Sequence, residues 1–151
     1  MKAATITTIL AAAATTTFAA PSSLKRALEP LAILDLTGSE YSQTPPTTYV
    51  VSFALNDPNT SIDTDCNAAW SEGMSGYTKF NCSNTSYQVS FPSGISNIED
   101  FILKVSRPDG SESGQNQVTG ADWECKKTPN QYPEETCQWV GTFNIDVTTS
   151  S

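Results

Sequence analysis

Hydrophobic residues recur at every second position over several stretches of this chain. In "YVVSFALN", Tyr49, Val51, Phe53 and Leu55 share one side, with Ser52 and Asn56 on the other. "YQVSF" repeats the pattern with Tyr87, Val89 and Phe91, and "FILKVS" with Phe101, Leu103 and Val105. A period of two marks a strand with one buried face. The closing "CQWVGTFNIDV" alternates longest. Cys137, Trp139, Gly141, Phe143, Ile145 and Val147 oppose Gln138, Thr142, Asn144 and Asp146, which reads as one half-buried strand. Weaker strand patterns cover Leu31 to Leu36, Ser61 to Cys66, Tyr77 to Cys82 and Gln117 to Cys125.

About eight short strands separated by Gly, Pro, Asn and Ser clusters predict an all-β fold. The expectation is a compact antiparallel β-barrel, closed or nearly so, or a sandwich. Two segments break the alternation. "TGSEYSQTPPTT", residues 37–48, reads as a long exposed connection, and "RPDGSESGQNQ", residues 107–117, as a polar surface crossing. Outside the first residues only "NAAWSEGM" offers a turn of helix.

The first residues set the compartment. Met1 and Lys2 form a short basic region, Ile6 to Ala14 an apolar one, and Thr17, Phe18 and Ala19 a small-x-small cleavage site, so residues 1–19 read as a signal peptide. The apolar run falls short of the about 20 residues that a spanning helix needs. Residues 20–26 read as a short pro-segment ending in the dibasic processing site Lys25 and Arg26, and 27–151 as a single secreted, extracellular domain. That domain holds five basic residues against sixteen acidic, a formal charge of −11 where the whole chain carries −8. Nucleic acid and anionic membrane surfaces are thereby disfavoured as partners, and the charge fits a soluble extracellular protein or one whose partner is basic.

All four cysteines, Cys66, Cys82, Cys125 and Cys137, lie in the domain, and an even count in a secreted chain reads as disulfides. Of three pairings we adopt Cys66 with Cys82 and Cys125 with Cys137, because each closes a polar, turn-rich stretch. Loops of this size give about 3 kcal/mol each in the chain-entropy model.

The chain has no histidine. That removes Ser-His-Asp and Cys-His catalysis, His-ligated metals and imidazole acid–base chemistry. With the cysteines oxidised, carboxylate chemistry is what remains, and it requires two acids about 5 to 9.5 Å apart across a cleft. Asp63 and Asp65 share a strand face. Glu99 with Asp100, and Glu134 with Glu135, point to opposite faces if extended. A solvated acidic face is the better reading for all of them, and neither cofactor nor metal is expected. Trp70, Trp123 and Trp139 are the candidates for a carbohydrate- or small-ligand-binding module, the alternative function, with a small carboxylate hydrolase behind it.

Asn59 and Asn84 head sequons in turn-like positions, and Asn81 heads a third beside a cysteine. In "CKKTPNQYPEETC" the two cysteines, facing each other across antiparallel strands, set Lys127 opposite Glu135. Pro129 and Pro133 stiffen the tip, which presents Tyr132 as a candidate partner contact.

"LAILDL", "FALND", "IDTDC", "YTKFNCSNTSYQVSF", "VTGADWEC" and "ETCQWVGTFNIDV" together resemble the Alternaria major allergen family of secreted fungal proteins. The resemblance covers most of residues 27–151. It implies a compact β-barrel with two local disulfides, fungal secretion, and roles as allergens and as effectors or elicitors that contact host defence proteins of the thaumatin-like kind. It brings no catalytic residues. Dimer-forming members use an additional cysteine near the mature N-terminus. This chain has none from Ala27 to Asp65, so a monomer without an interchain disulfide is expected.

Overall fold

The computed structural model describes residues 28–149. The residues read as a signal peptide and pro-segment, with the Lys25–Arg26 pair, and the last two residues lie outside that range. Eleven strands follow in order: β1 (Leu31–Tyr41), β2 (Thr48–Asp57), β3 (Ile62–Ser71), β4 (Lys79–Asn81), β5 (Gln88–Ser90), β6 (Phe101–Ser106), β7 (Glu112–Val118), β8 (Trp123–Lys127), β9 (Glu135–Trp139), β10 (Phe143–Ile145) and β11 (Val147–Thr149). No helix occurs among the described residues.

The strands form two antiparallel sheets. One runs β3-β2-β1-β9-β8, with β10 also pairing β1, and the other runs β11-β7-β6-β5-β4. Their inner faces meet in a single core in which the expected inward residues Tyr49, Val51, Phe53, Leu55, Tyr87, Val89, Phe91, Phe101, Leu103 and Val105 are all buried. Rings form a spine through it: Trp70, Phe91, Phe101, Trp123, Trp139 and Phe143 follow one another at centroid distances of 4.7 to 6.5 Å.

A closed barrel is not formed. Between edge strands β3 and β4 the sheets are joined by the Cys66–Cys82 disulfide and by one backbone bond from Ser83 N–H to Asp65 O, 2.8 Å, instead of a ladder. At the other side the chain itself crosses, passing from β10 to β11 through Asp146. Gly114 permits that crossing. A Cβ there would lie 2.3 Å from the Asp146 carbonyl oxygen.

Four local expectations are corrected. The closing segment is three strands: the chain turns at Gly141 (φ 87°) and then switches sheets, so β9, β10 and β11 keep the alternation without being continuous. Residues 107–117 supply most of β7, a polar strand whose outer face meets solvent. In the 37–48 segment Thr37–Tyr41 extends β1, so the connection begins only at Ser42. "NAAWSEGM" continues β3 and forms no helical turn, with Ala68 and Trp70 pointing inward. In β1 the period-two rule itself breaks. Asp35 (φ 50°) is an extra residue between the Leu34–Ala54 and Thr37–Ser52 pairs, and this bulge turns both Ile33 and Leu36 into the core.

Candidate functional site

Both disulfides have the pairing read from the sequence, so all four cysteines are engaged. Cys125 faces Cys137 across β8 and β9, and the same register sets Lys127 opposite Glu135, as the equal inward steps require. Cys125, Glu135 and Cys137 lie close enough to suggest a metal group, but both sulfurs are spent on each other and offer no thiolate.

The loop above this staple is anchored at several points. Thr128 N–H donates to Glu134 O (2.7 Å) and its hydroxyl to Pro133 O (2.9 Å), while Glu134 N–H donates to Glu40 O on β1 (3.0 Å). The tip leans on the β1–β2 connection. Gln43 Nε2 donates to Gln131 O at 3.1 Å, and Ser42 N–H donates to Glu134 Oε2 at 2.9 Å. Tyr132 packs edge-on against Tyr41, centroids 4.6 Å apart, yet remains 62% exposed.

Beneath the loop a cleft of about 500 Å3 is lined by Glu40, Tyr49, Ser96, Lys127, Glu134 and Glu135. Lys127 Nζ lies 2.9 Å from Glu99 Oε1 and 3.8 Å from Glu135 Oε2. Glu135 is buried, and neither its Oε1 nor that of Glu134 meets a donor. Burial pushes the Glu135 carboxyl above the ordinary range, a hydrogen bond to Glu99 adds to that, and Lys127 partly opposes it. Glu99 moves the other way, lowered first by the Lys127 ammonium and then by its interaction with Glu135. Glu40 is raised by burial first and then by the charge of Glu134. The result is a patch that gathers four carboxyls around one lysine and raises the proton affinity of its most buried member.

A carboxyl pair with oppositely shifted proton affinities invites comparison with glycosidases, but one ammonium, Lys127 Nζ, contacts both, at 2.9 Å from Glu99 Oε1 and 3.8 Å from Glu135 Oε2. Asp63 and Asp65 share the exposed face of β3 as expected, with Asp63 Oδ1 accepting from Asn56 Nδ2 at 2.6 Å. Glu99 and Asp100 lie in the turn before β6, and Glu134 precedes β9.

The tryptophans do not make a sugar platform. Trp70 and Trp123 are buried at 3% and 5% exposure, Trp123 Nε1 donates to Ile98 O at 2.9 Å, and Trp139 is half-buried in the ring spine. Of the sequon asparagines, Asn59 is exposed and clamps Glu29 by two 2.8 Å bonds. Asn84 closes a turn onto Ser86 N–H at 2.9 Å, and Asn81 accepts from Gln88 Nε2 at 3.0 Å beside the first disulfide.

Sequence reasoning missed Glu40 and the pairing of Lys127 with Glu99, because they come from three segments far apart in the chain. It also missed Asp57, which is fully buried and accepts from Tyr87 OH (2.5 Å), Thr60 Oγ1 (2.7 Å) and Asn59 N–H (2.8 Å). The available signal was an acid closing an alternating strand just before a Pro-Asn-Thr turn.

No protein-family model matches the chain. No curated protein matches it either. Two crystal structures of the Alternaria alternata allergen Alt a 1 do. One aligns over 80% of this chain and 94% of its own with a TM-score of 0.51, the other over 86% and 95% with 0.53, each at 19% identity. The chain therefore shares the fold of the Alternaria alternata major allergen Alt a 1, at a sequence distance that carries over the architecture alone.

Proposed function

We propose that this protein is a secreted fungal effector or elicitor of allergen type, which acts by binding a basic host defence protein, of the thaumatin-like kind, and not by catalysis. The observation that carries this reading is Tyr132, 62% exposed at the tip of a loop closed by a disulfide and braced by Tyr41, Gln43 and Glu40. An aromatic side chain held in this way loses little conformational entropy on docking, which is the property of an interface anchor. The acid-lined cleft beside it supplies charge complementarity to a basic surface and speeds encounter. The fold shared with a solved allergen and the leader at residues 1–26 favour the same extracellular setting.

The test is a calorimetric titration of the mature chain with a purified basic thaumatin-like protein. We expect binding that weakens with added salt and that falls at least about tenfold in Tyr132→Ala. Absence of binding, or equal binding by the parent and by a Tyr132→Ala, Glu134→Gln double variant, refutes the proposed interface.

A further inference from the structure

The outer face of the second sheet runs against the charge of the molecule. Among the described residues five basic side chains stand against sixteen acidic ones, and three of the five, Lys79, Lys104 and Arg107, line one cleft of about 320 Å3. The register brings them together. Lys79 pairs with Ser90, Ser90 with Lys104, and Lys104 with Gln115, so these residues form one row across β4, β5, β6 and β7. With strands about 4.8 Å apart, the two lysine Cα atoms stand about 10 Å from each other. That spacing lets one ligand of monosaccharide width or more touch both ammonium groups. Neither lysine forms an ion pair among the described residues.

Two further features give the cleft shape. Arg107 is held in place, its Nη1 donating to Tyr87 OH at 3.3 Å and its guanidinium 5.2 Å from the Tyr87 ring centroid. Tyr77 stands at the rim, 90% exposed. Its loop is pressed against the turn at Pro92, where a Cβ on Gly76 would fall 2.3 Å from the Pro92 carbonyl oxygen.

We propose that this cleft binds a short acidic oligosaccharide of the uronic acid class. Carboxylates repeated along the chain meet Lys79, Lys104 and Arg107, a pyranose face lies on the Tyr77 ring, and Ser90 and Gln115 serve sugar hydroxyls. A single phosphate calls for donors converging on one point, commonly backbone N–H groups. Here the two lysines are spread along a row of side chains with Arg107 beside it, and an exposed aromatic face accompanies them, which suits a charged chain with C–H-rich faces.

The experiment titrates the mature chain, at low salt, with a short oligogalacturonide, with its fully methyl-esterified counterpart, with inorganic phosphate and with an oligoglutamate peptide. The acidic sugar is expected to bind and the ester to fail. The Lys79→Gln, Lys104→Gln double variant should weaken sugar binding at least about tenfold, and Tyr77→Ala should weaken it severalfold. Both lysines lie on the solvent face, and an unchanged unfolding midpoint verifies that the variants fold. Absence of sugar binding, equal binding of acid and ester, phosphate or oligoglutamate binding as tight as that of the sugar, or a double variant that binds like the parent overturns the proposal.

Discussion

Asp57 and Glu135 are both buried acids, at 0% and 5% exposure, and each has a disulfide close by. Cys82 N–H donates to the carbonyl of Tyr87, which holds Asp57, whereas Cys137 stands two residues from Glu135 on β9. Their hydrogen-bond partners differ. Burial alone drives the Asp57 carboxyl upward, but bonds from Tyr87, Thr60 and Asn59 outweigh it and hold the group below the ordinary range. Tyr87 is correspondingly pushed up to about 12, by burial and by its bond to Asp57. Glu135 meets one lysine at 3.8 Å and no backbone donor, and burial wins. A buried carboxylate with three donors is a structural rivet, while one with too few is a poised group that an incoming donor can satisfy. Glu112 shows the same contrast inside the Asp57 region, its Oε1 unpartnered and its carboxyl raised by burial and by the Asp57 charge.

Removing the disulfides tests the two regions most severely. Cys66→Ser with Cys82→Ser unfastens the two sheets and buries two hydroxyls, and we expect a loss of about 4 kcal/mol in urea unfolding. Cys125→Ser with Cys137→Ser unfastens two strands that remain paired in a five-residue ladder, and about 3 kcal/mol is expected. Equal midpoints for the second variant and the parent would remove the staple from the account of the Tyr132 loop.

Asp57→Asn comes next. The amide turns one acceptor into a donor facing the Tyr87 hydroxyl, and a loss of about 2 kcal/mol at pH 7 is expected. Because the folded carboxyl lies below its unfolded value of about 3.9, its contribution is present above that pH and disappears as pH falls through the folded value. The gap between parent and variant should therefore close under strongly acidic conditions. A gap that persists there would mean that packing, not charge, carries the effect.

Glu135 carries the opposite sign. A folded carboxyl raised above its unfolded value binds its proton more tightly in the native state, so its contribution is present at low pH and is lost as pH rises through the folded value. The parent should gain stability on mild acidification from neutral pH, while Glu135→Gln, within about 1 kcal/mol of the parent at pH 7, should gain less. Identical profiles in the two proteins would contradict a raised proton affinity of Glu135 in the folded state.

How much of this was legible in the sequence follows from the range of the interactions. Alternation found the inward residues of β2, β5 and β6, because each strand's faces are set by its own residues. Spacing found both disulfides and the opposition of Lys127 to Glu135, because a hairpin register is also local. The alternation could not reveal that β9, β10 and β11 belong to different ladders, since a turn at Gly141 and a sheet switch at Asp146 leave the period intact. Nor could it show the bulge at Asp35, or β7 inside a polar run that packs only its Glu112 and Val118 ends. The acidic cleft was hidden for a different reason. Glu40, Glu99 and Lys127 meet only after three segments fold together, and no local pattern encodes that meeting.

The smallest expected effect sharpens the comparison from the side of the exposed tip. Tyr132 contributes one edge contact with Tyr41, and its loop is held by bonds that do not involve its ring: Thr128 to Glu134, Gln43 to Gln131 O, and Ser42 to Glu134. An aromatic pair at an exposed site is worth about 0.5 to 1.5 kcal/mol beyond its area at most. With most of the ring in water, Tyr132→Ala should cost about 0.5 kcal/mol or less in urea unfolding. Tyr41→Ala, which withdraws the ring that braces Tyr132, should cost about as little in stability and weaken partner binding less than Tyr132→Ala does. If Tyr132→Ala instead lowers the midpoint as much as loss of the Cys125–Cys137 bond, the tip belongs to the staple and is not a free anchor, and the division between a riveted region and a poised one would have to be redrawn around it.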